Sequence, residues 1–335
     1  MSTMKAAKVT SPGVVEIVQV PIPTTGKGQV RIKVISCGIC HSDNITLYGA
    51  MGTQLPRIPG HEVLGVVDEI GEGVTGLVKG QEVGVGWFGG NHCGKCTSCL
   101  QNEWILCKES LVCGLNYDGG YAEYCVAPAD AIVKIPSGMD PIASSPLLCA
   151  GVTVYNSFRN QNIKSGSVVG VQGLGGLGHL AIQFVKKMGY QVAALSSGSS
   201  KEALARELGA SYYFDMSNQS WVAECQKLDV KCILVTAPNG NIIPTMVKSL
   251  GINGKLVLLA AVTEPFSVDG IELLGQKKSI IGWASGDSRD TEDTFNFAKH
   301  NCVKPMVQPV SLEEAADRLK NISQAKFRYV ISFQK

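Results

Sequence analysis

The chain has 335 residues, of which 45% are hydrophobic and 17% charged. That is room for about two domains and excludes a disordered or fibrous chain. Its 30 Lys and Arg against 28 Asp and Glu leave a net charge of +2, with no basic or acidic block, so neither a nucleic-acid footprint nor a polybasic membrane surface is expected. The longest apolar run, about seven residues at 256–262, is far short of a membrane span. The opening MSTMKAAKV lacks the apolar region of a secretion signal, so a cytoplasmic protein is expected. In that reducing setting the 12 cysteines read as buried thiols, metal ligands or redox groups rather than disulfides.

Up to about residue 137 the chain reads as short β-branched runs punctuated by Pro and Gly. Examples are VVEIVQVPIP, QVRIKVIS, VLGVVDEIGEGV, GQEVGVG and YAEYCVAPADAIVKIP. Frequent short strands of this kind predict a barrel or sandwich, with no long helix before Asp140. The character changes near residue 140. SPLLCAGVTVYNSF reads as a helix start, and SVVGVQG, QVAALSS, YYFD, KCILVTAP, KLVLLAAV and SIIGWAS as strands. The segments GLGHLAIQFVKKMG, SKEALARELGA and NIIPTMVKSLGING between them read as helices. Strands alternating with helices predict βαβ units and a parallel sheet, an α/β doubly wound domain. Residues 286–335 are expected to hold two helices and a final strand, FRYVISF.

Gly173, Gly175 and Gly178, with Leu174, Gly176 and Leu177 between them, form G-x-G-x-x-G after the strand VVGV and before the helix HLAIQFVKK. The first glycine permits a tight turn, the second lets a pyrophosphate approach the backbone, and the third lets helix and strand pack closely. The helix N-terminus then offers free N–H groups to phosphate. An acid about 20 residues further on would bind the ribose 2′-hydroxyl of NAD, but that place is Ser196, followed by Ser197. These hydroxyls, with Lys201, suit a 2′-phosphate, so NADP(H) is favoured over NAD(H). A site tolerant of both cofactors is the alternative, since no Arg stands nearby.

Cys93, Cys96, Cys99 and Cys107 lie within 15 residues, the spacing of a closed structural zinc site with four thiolates. A thiol redox pair needs only two cysteines, and iron–sulfur clusters use other spacings. Cys40, His61 and Cys149 are dispersed. Two thiolates and an imidazole make a known catalytic zinc set with one open position, but no local spacing brings these three together.

The segment Gly60-His61-Glu62-Val63-Leu64-Gly65-Val66-Val67 with Gly71 resembles the GHE signature of the zinc-containing medium-chain alcohol dehydrogenases. CGICHSD, the four-cysteine loop, SPLLCAGVTVY and GLGGLG follow in that family's order, and the resemblance spans the whole chain, nearest to the yeast-type and cinnamyl-type members. It implies a GroES-like barrel domain at 1–150, a Rossmann domain at 151–285 and a C-terminal segment, 286–335, returning to the first domain. It implies that Cys40, His61 and Cys149 hold a catalytic zinc beside the structural one, two zinc ions per chain. Glu62 would be the neighbouring carboxylate, Asp43 the partner orienting His61, and Ser42 the hydroxyl taking the alcohol proton. His41 and Arg328 would face the cofactor pyrophosphate, and Thr153 the nicotinamide.

The implied reaction is hydride transfer between NADP(H) and an alcohol/aldehyde pair, in the direction of aldehyde reduction, by a homodimer or homotetramer with SIIGWAS as a candidate pairing strand. The chain departs from many members at Ile45, where a relay histidine is usual. It keeps Cys149 and all four loop cysteines, unlike the polyol branch, which favours simple alcohols and aldehydes. The alternatives are an NAD-linked primary alcohol dehydrogenase, a polyol dehydrogenase, a zinc-free quinone or enoyl reductase of the same fold, and a non-catalytic binding module. Cys37, Cys113, Cys125, Cys225, Cys232 and Cys302 read as small core hydrophobes. His92 reads as a surface residue, and His179 and His300 have no ligand-like spacing. Trp87 and Phe88 could wall a substrate pocket or simply pack in the core.

Overall fold

A computed structural model describes residues 2–334. The chain divides into two compact units, one of residues 1–149 and 286–335, the other of 150–285.

The first unit opens with a hairpin of β1 (Thr3–Ser11) and β2 (Val14–Pro21), turned at Gly13, whose φ of +78° suits a residue without Cβ. It continues through β3 (Gln29–Ile39), β4 (Val63–Ile70), β5 (Glu82–Val85), β6 (Tyr124–Pro128) and β7 (Ile132–Lys134). The second unit holds six parallel strands: β8 (Val168–Gln172), β9 (Gln191–Ser196), β10 (Tyr212–Asp215), β11 (Cys232–Val235), β12 (Lys255–Leu258) and β13 (Ser279–Gly282). β14 (Val307–Val310) and β15 (Arg328–Ser332) return to the sheet of the first unit.

That sheet runs β14-β15-β3-β4-β5-β7, with β6 also paired to β3. β3 is its longest strand and lies antiparallel to both β4 and β15, with Cys37 opposite Val63 and Ile39 opposite Tyr329. The C-terminal end of β3 therefore lies beside the beginnings of β4 and β15. Cys40 follows β3 directly, Glu62 precedes β4 directly, and Arg328 opens β15. Three segments far apart in sequence are thus brought to one sheet end by register alone. Beneath them Ile32, Ile39, Leu47, Ile58, Val63 and Tyr121 are buried, each such large side chain contributing roughly 1.5–3 kcal/mol by burial.

The six-stranded sheet has the order β10-β9-β8-β11-β12-β13, two mononucleotide-binding halves meeting between β8 and β11. β8 and β11 are buried along their whole length, as parallel strands covered on both faces must be.

Besides the four-residue helices Asn44–Leu47, Thr97–Leu100 and Pro141–Ser144, the sequence reading lacks one strand and two longer helices. β14 is an edge strand carrying Pro309, which only an edge tolerates. The helices Trp221–Lys227 and Gly270–Gln276 are seven residues each, too short to show a periodic face. The segment SPLLCAGVTVYNSF is not one helix. A 3-10 turn at Ser145–Leu148 ends at Cys149, whose φ of −129° is not helical, and a new helix runs Ala150–Arg159. Among the described residues no helix is long and apolar enough to cross a membrane.

Candidate active site and metal centres

Cys40, His61, Glu62 and Cys149 come together in the first unit, with one potential ligand atom from each lying within 4.8 Å of the others. The two thiol sulfurs are 3.9 Å apart. Ser145 fixes the approach of the turn that carries Cys149, because its hydroxyl donates to the Glu62 carbonyl at 2.6 Å and accepts from the Gly38 N–H at 3.0 Å. Gly38 has to be glycine for a separate reason, since a Cβ there would lie 1.8 Å from Glu62 Oε2. Gly60 has φ +105°, and a Cβ on it would lie 2.4 Å from the Tyr121 ring. The glycine before His61 is thus a packing and backbone requirement.

His61 is 2% exposed. Its Nδ1 meets Asp43 Oδ1 at 2.9 Å, and its Nε2 is buried without a hydrogen-bond partner. A carboxylate on Nδ1 holds the proton there and leaves the Nε2 lone pair for another acceptor of electrons. Burial works to lower the His61 pKa, but Asp43 and Cys40 outweigh it, so the net shift is upward. The Cys40 thiol is drawn well down by its hydrogen bond with Cys149, helped against burial by Arg328 and His61. Burial lifts Glu62 to about 7 although Arg328, with Nη2 3.4 Å from Oε1, opposes the rise. Cys149 is pushed well up by its hydrogen bond with Cys40 and by burial, so the two sulfurs share a proton. A buried thiol pair and an unpartnered imidazole nitrogen are what a soft divalent cation satisfies, and this donor set fits zinc.

Arg328 is 5% exposed, with Nη1 donating to the Ile39 carbonyl. His41 and Ser42 lie on the 3-10 turn His41–Asp43 after Cys40, the first exposed and the second half-buried, and Ile45 is half-buried on the next turn. Trp87 meets the His61 ring edge-on at 4.9 Å. Phe88 belongs elsewhere, facing His92 and Trp104. Tyr121, unmarked in the sequence reading, donates its hydroxyl to Asp43 Oδ2 at 2.8 Å. Nothing local in GGYAEY points from Tyr121 to Asp43, 78 residues away.

Cys93, Cys96, Cys99 and Cys107 form the second group within 4.8 Å. Cys93 N–H reaches Cys107 Sγ at 3.4 Å and Cys96 N–H reaches Cys93 Sγ at 3.4 Å. The first of these bonds is the main cause holding Cys107 down to about 6. Amides aimed at sulfur favour thiolates, and four sulfurs with no other ligand fit a closed zinc site. Trp104 anchors this lobe, stacked on His92 at 3.9 Å on one side and under the Arg289 guanidinium at 3.5 Å on the other. His92 is therefore half-buried and held by Trp104 and Asp130 rather than free on the surface. Its Nδ1 is 2.7 Å from Asp130 and only 17% of its side chain is exposed.

In the second unit Gly173 has φ +90°, and a Cβ on Gly178 would lie 2.0 Å from the Gly173 carbonyl, while nothing lies within 4 Å of one on Gly175. Turn, open approach and close packing thus fall on the three glycines. Gly176 and Leu177 complete the loop, and the helix Gly178–Lys187 begins after them with no side chain capping it. His179 is buried, its ring Nδ1 3.0 Å from the Gly175 carbonyl. Ser196 ends β9 buried, and Ser197 and Lys201 are exposed beyond it. The sequence reading missed Asp215, which lies opposite Ser196 across the β9–β10 pairing. It accepts from the Gly198 N–H at 2.7 Å and from the Ser217 hydroxyl at 2.7 Å. The Ser217 contacts, with Gly198, hold its carboxyl below the ordinary range. Thr153 Oγ1 bonds Ser285 Oγ at 2.9 Å.

Of the cysteines outside the clusters, Cys37, Cys113, Cys125, Cys225 and Cys232 are buried, but Cys302 is exposed. It is the left-handed C-cap of the helix Ser288–Asn301, and the chain turning away there leaves it outside the core. Burial pushes Cys225 and Cys232 up to about 12. At pH 8 a disulfide reagent is expected to label Cys302 within seconds to minutes and these five only as the chain unfolds. Peptide mass spectrometry reads this, and rapid labelling of Cys225 or Cys232 would contradict it.

The family model for the alcohol dehydrogenase GroES-like domain matches residues 26–137, and that for the zinc-binding dehydrogenases matches 176–300. The alcohol dehydrogenase notN of Aspergillus sp. (strain MF297-2) is 40% identical over 310 residues, spanning 92% of this chain and 91% of its own. The solved cinnamyl alcohol dehydrogenase of Sorghum bicolor is 30% identical with a TM-score of 0.89, covering 99% of this chain and 98% of its own. An acetophenone reductase from Geotrichum candidum, solved with NAD, is 28% identical with a TM-score of 0.87, covering 99% and 98%. With a GroES-like domain, a Rossmann domain and these relatives, the chain belongs to the zinc-containing medium-chain alcohol dehydrogenases, a family of oxidoreductases.

Proposed function

We propose that this alcohol dehydrogenase interconverts a simple alcohol and its aldehyde or ketone with NADP(H), working as an aldehyde reductase, with one zinc in each of its two clusters. The observation that carries the cofactor reading is the end of β9, where Ser196 replaces an acid and the exposed Ser197 and Lys201 follow. An acid there would repel a 2′-phosphate, whereas a hydroxyl and an ammonium would bind it. Asp215 is one strand away and already accepts from Gly198 and Ser217.

Cys40, His61 and Cys149 would hold the catalytic metal. When bound it supplies a Lewis acid to the substrate oxygen. Asp43 keeps the His61 proton on Nδ1, so that Nε2 stays free to ligate. Glu62 and Arg328 lie beside the ligands as a buried charge pair. Trp87, edge-on to His61, gives the site an apolar wall. Ser42 gives a proton to the substrate oxygen in aldehyde reduction and takes it back in alcohol oxidation. Ile45 cannot carry it further, so the proton comes from or returns to water, and the pH profile of the rate lacks a step near 6.5 from a relay histidine. Thr153 positions the nicotinamide. The protein acts in the cytoplasm as a homo-oligomer in which a second copy covers the β13 edge and the neighbouring helix, where Ile271 and Leu274 are 76% and 82% exposed. Light scattering behind size exclusion tests this, and a monomer contradicts it.

The test of the cofactor reading is the rate of NADPH against NADH oxidation with a panel of aldehydes. NADPH is expected to be the better reductant. Lys201→Ala is expected to raise KM for NADPH about tenfold, the loss of one hydrogen bond to a charged group, and to leave KM for NADH unchanged. A second reading, NAD(H) as the cofactor, is supported by the NAD-bound Geotrichum relative. Faster NADH oxidation would establish it.

A further inference from the structure

Asp43 is 2% exposed and takes three hydrogen bonds. The Cys40 N–H reaches its Oδ2 at 2.8 Å, the Tyr121 hydroxyl reaches the same oxygen at 2.8 Å, and His61 Nδ1 lies 2.9 Å from Oδ1. Two of these contacts come from the site's own segments. The third comes from the segment before β6 and is made by a side chain with no exposed surface.

Tyr121 has little freedom to do anything else. Its N–H donates to the Pro59 carbonyl at 3.0 Å, and its carbonyl accepts from Ala7 N–H at 2.8 Å. Its ring fills the space left by the missing Cβ of Gly60, and a Cβ on Gly120 would strike Val63 Cγ2 at 2.5 Å. A residue whose backbone is held at both its N–H and its carbonyl, with its ring against Gly60, delivers its hydroxyl to one point. Apolar packing alone would be served as well by Phe, so the hydroxyl needs its own account.

We infer that Tyr121 is a positioning residue for His61, acting through Asp43. By holding Oδ2 together with the Cys40 N–H, it stops the carboxylate from rotating about its Cβ–Cγ bond and keeps Oδ1 on His61 Nδ1. The imidazole then presents Nε2 toward Cys40 and Cys149 in one orientation. The inference rests on the reading of Cys40, His61 and Cys149 as a metal site. Outer partners of a metal-bound histidine are worth about 10- to 100-fold in metal affinity, and a group one bond further out belongs at the lower end.

The test compares zinc release to a chelating dye from the whole enzyme and from Tyr121→Phe, Asp43→Asn and the double variant. Cys149→Ser identifies the release phase that belongs to the buried cluster. Tyr121→Phe keeps the ring that fills the Gly60 cradle, and near-ultraviolet circular dichroism checks its fold. It is expected to speed that phase about tenfold and to lower kcat while KM for the nicotinamide cofactor stays unchanged. Asp43→Asn is expected to have the larger effect, and the double variant to match Asp43→Asn alone, because the hydroxyl acts only through the carboxylate. Release at the wild-type rate from Tyr121→Phe would overturn the inference. So would an equal acceleration in the Asp43→Asn background, which would mean plain packing. If the wild-type enzyme has no release phase that Cys149→Ser removes, the metal reading itself fails and takes the inference with it.

Discussion

His61→Ala is expected to lower the zinc content from two ions per chain to one and to reduce kcat/KM for aldehyde reduction by about a thousandfold or more. The size follows from the several kcal/mol that a Lewis acid contributes to the transition state. The site has no substitute for the imidazole. Cys40 and Cys149 sulfurs are 3.9 Å apart, and without a cation between them the pair keeps a proton, Cys149 being held well up by its bond with Cys40 and by burial. Arg328 is already committed to Glu62 and the Ile39 carbonyl. Asp43 also loses the partner of its Oδ1, and a buried carboxylate left partly unpaired is costly. Metal analysis and steady-state kinetics on the same preparation read the outcome. Activity above a tenth of wild type with one zinc per chain would contradict the assignment of His61 as a ligand.

The second large effect concerns the other cluster and has the opposite signature. Cys99→Ser is expected to lower the midpoint of thermal unfolding by about 10 °C or more, while activity measured at low temperature on the surviving folded protein changes little. The lobe has almost no core. Among residues 91–110 only Cys99 and Cys107 are buried, so ordering these residues must be offset by the metal bonds. Structural zinc supplies about 10–16 kcal/mol in small zinc-binding peptides, and one kcal/mol moves the midpoint of a domain this size by roughly 2–4 °C. The Trp104 sandwich between His92 and Arg289 holds the lobe to the helix Ser288–Asn301, so part of the loss is retained by those contacts. Differential scanning calorimetry is the measurement, with Cys302→Ser as the control expected to leave the midpoint in place. An unchanged midpoint in Cys99→Ser would mean that the four thiols carry no stabilising metal.

Much of the fold was legible because its signals are local. The strand–glycine–helix sequence at 168–187 and the alternation after it carry the parallel sheet, and the four-cysteine spacing carries the lobe. The buried cluster was not legible from periodicity or spacing. Cys40, His61 and Cys149 meet because β3 runs antiparallel to β4 with Cys37 opposite Val63 and because Ser145 ties the incoming turn to Glu62 and Gly38. Register is a property of the whole sheet, so only the family resemblance joined these residues beforehand.

Tyr121 and Asp215 were invisible for the same reason, each acting on a residue that the chain order does not place beside it. His92 and Cys302 show the limits of local polarity. The histidine lies within a stack that includes Trp104, twelve residues on, and the cysteine ends a helix in a left-handed turn that points it outward. β14 carries Pro309, which its edge position accommodates.

The most direct test of the central claim follows NADPH oxidation by an aldehyde while zinc is withdrawn by dialysis against a chelator and then restored. The reading of Cys40, His61 and Cys149 as a catalytic zinc site predicts that activity falls in step with the loss of the first zinc of two and returns when zinc is added back. Full activity in protein that has lost the zinc of the buried cluster would contradict it and would make the enzyme a zinc-free reductase of the same fold.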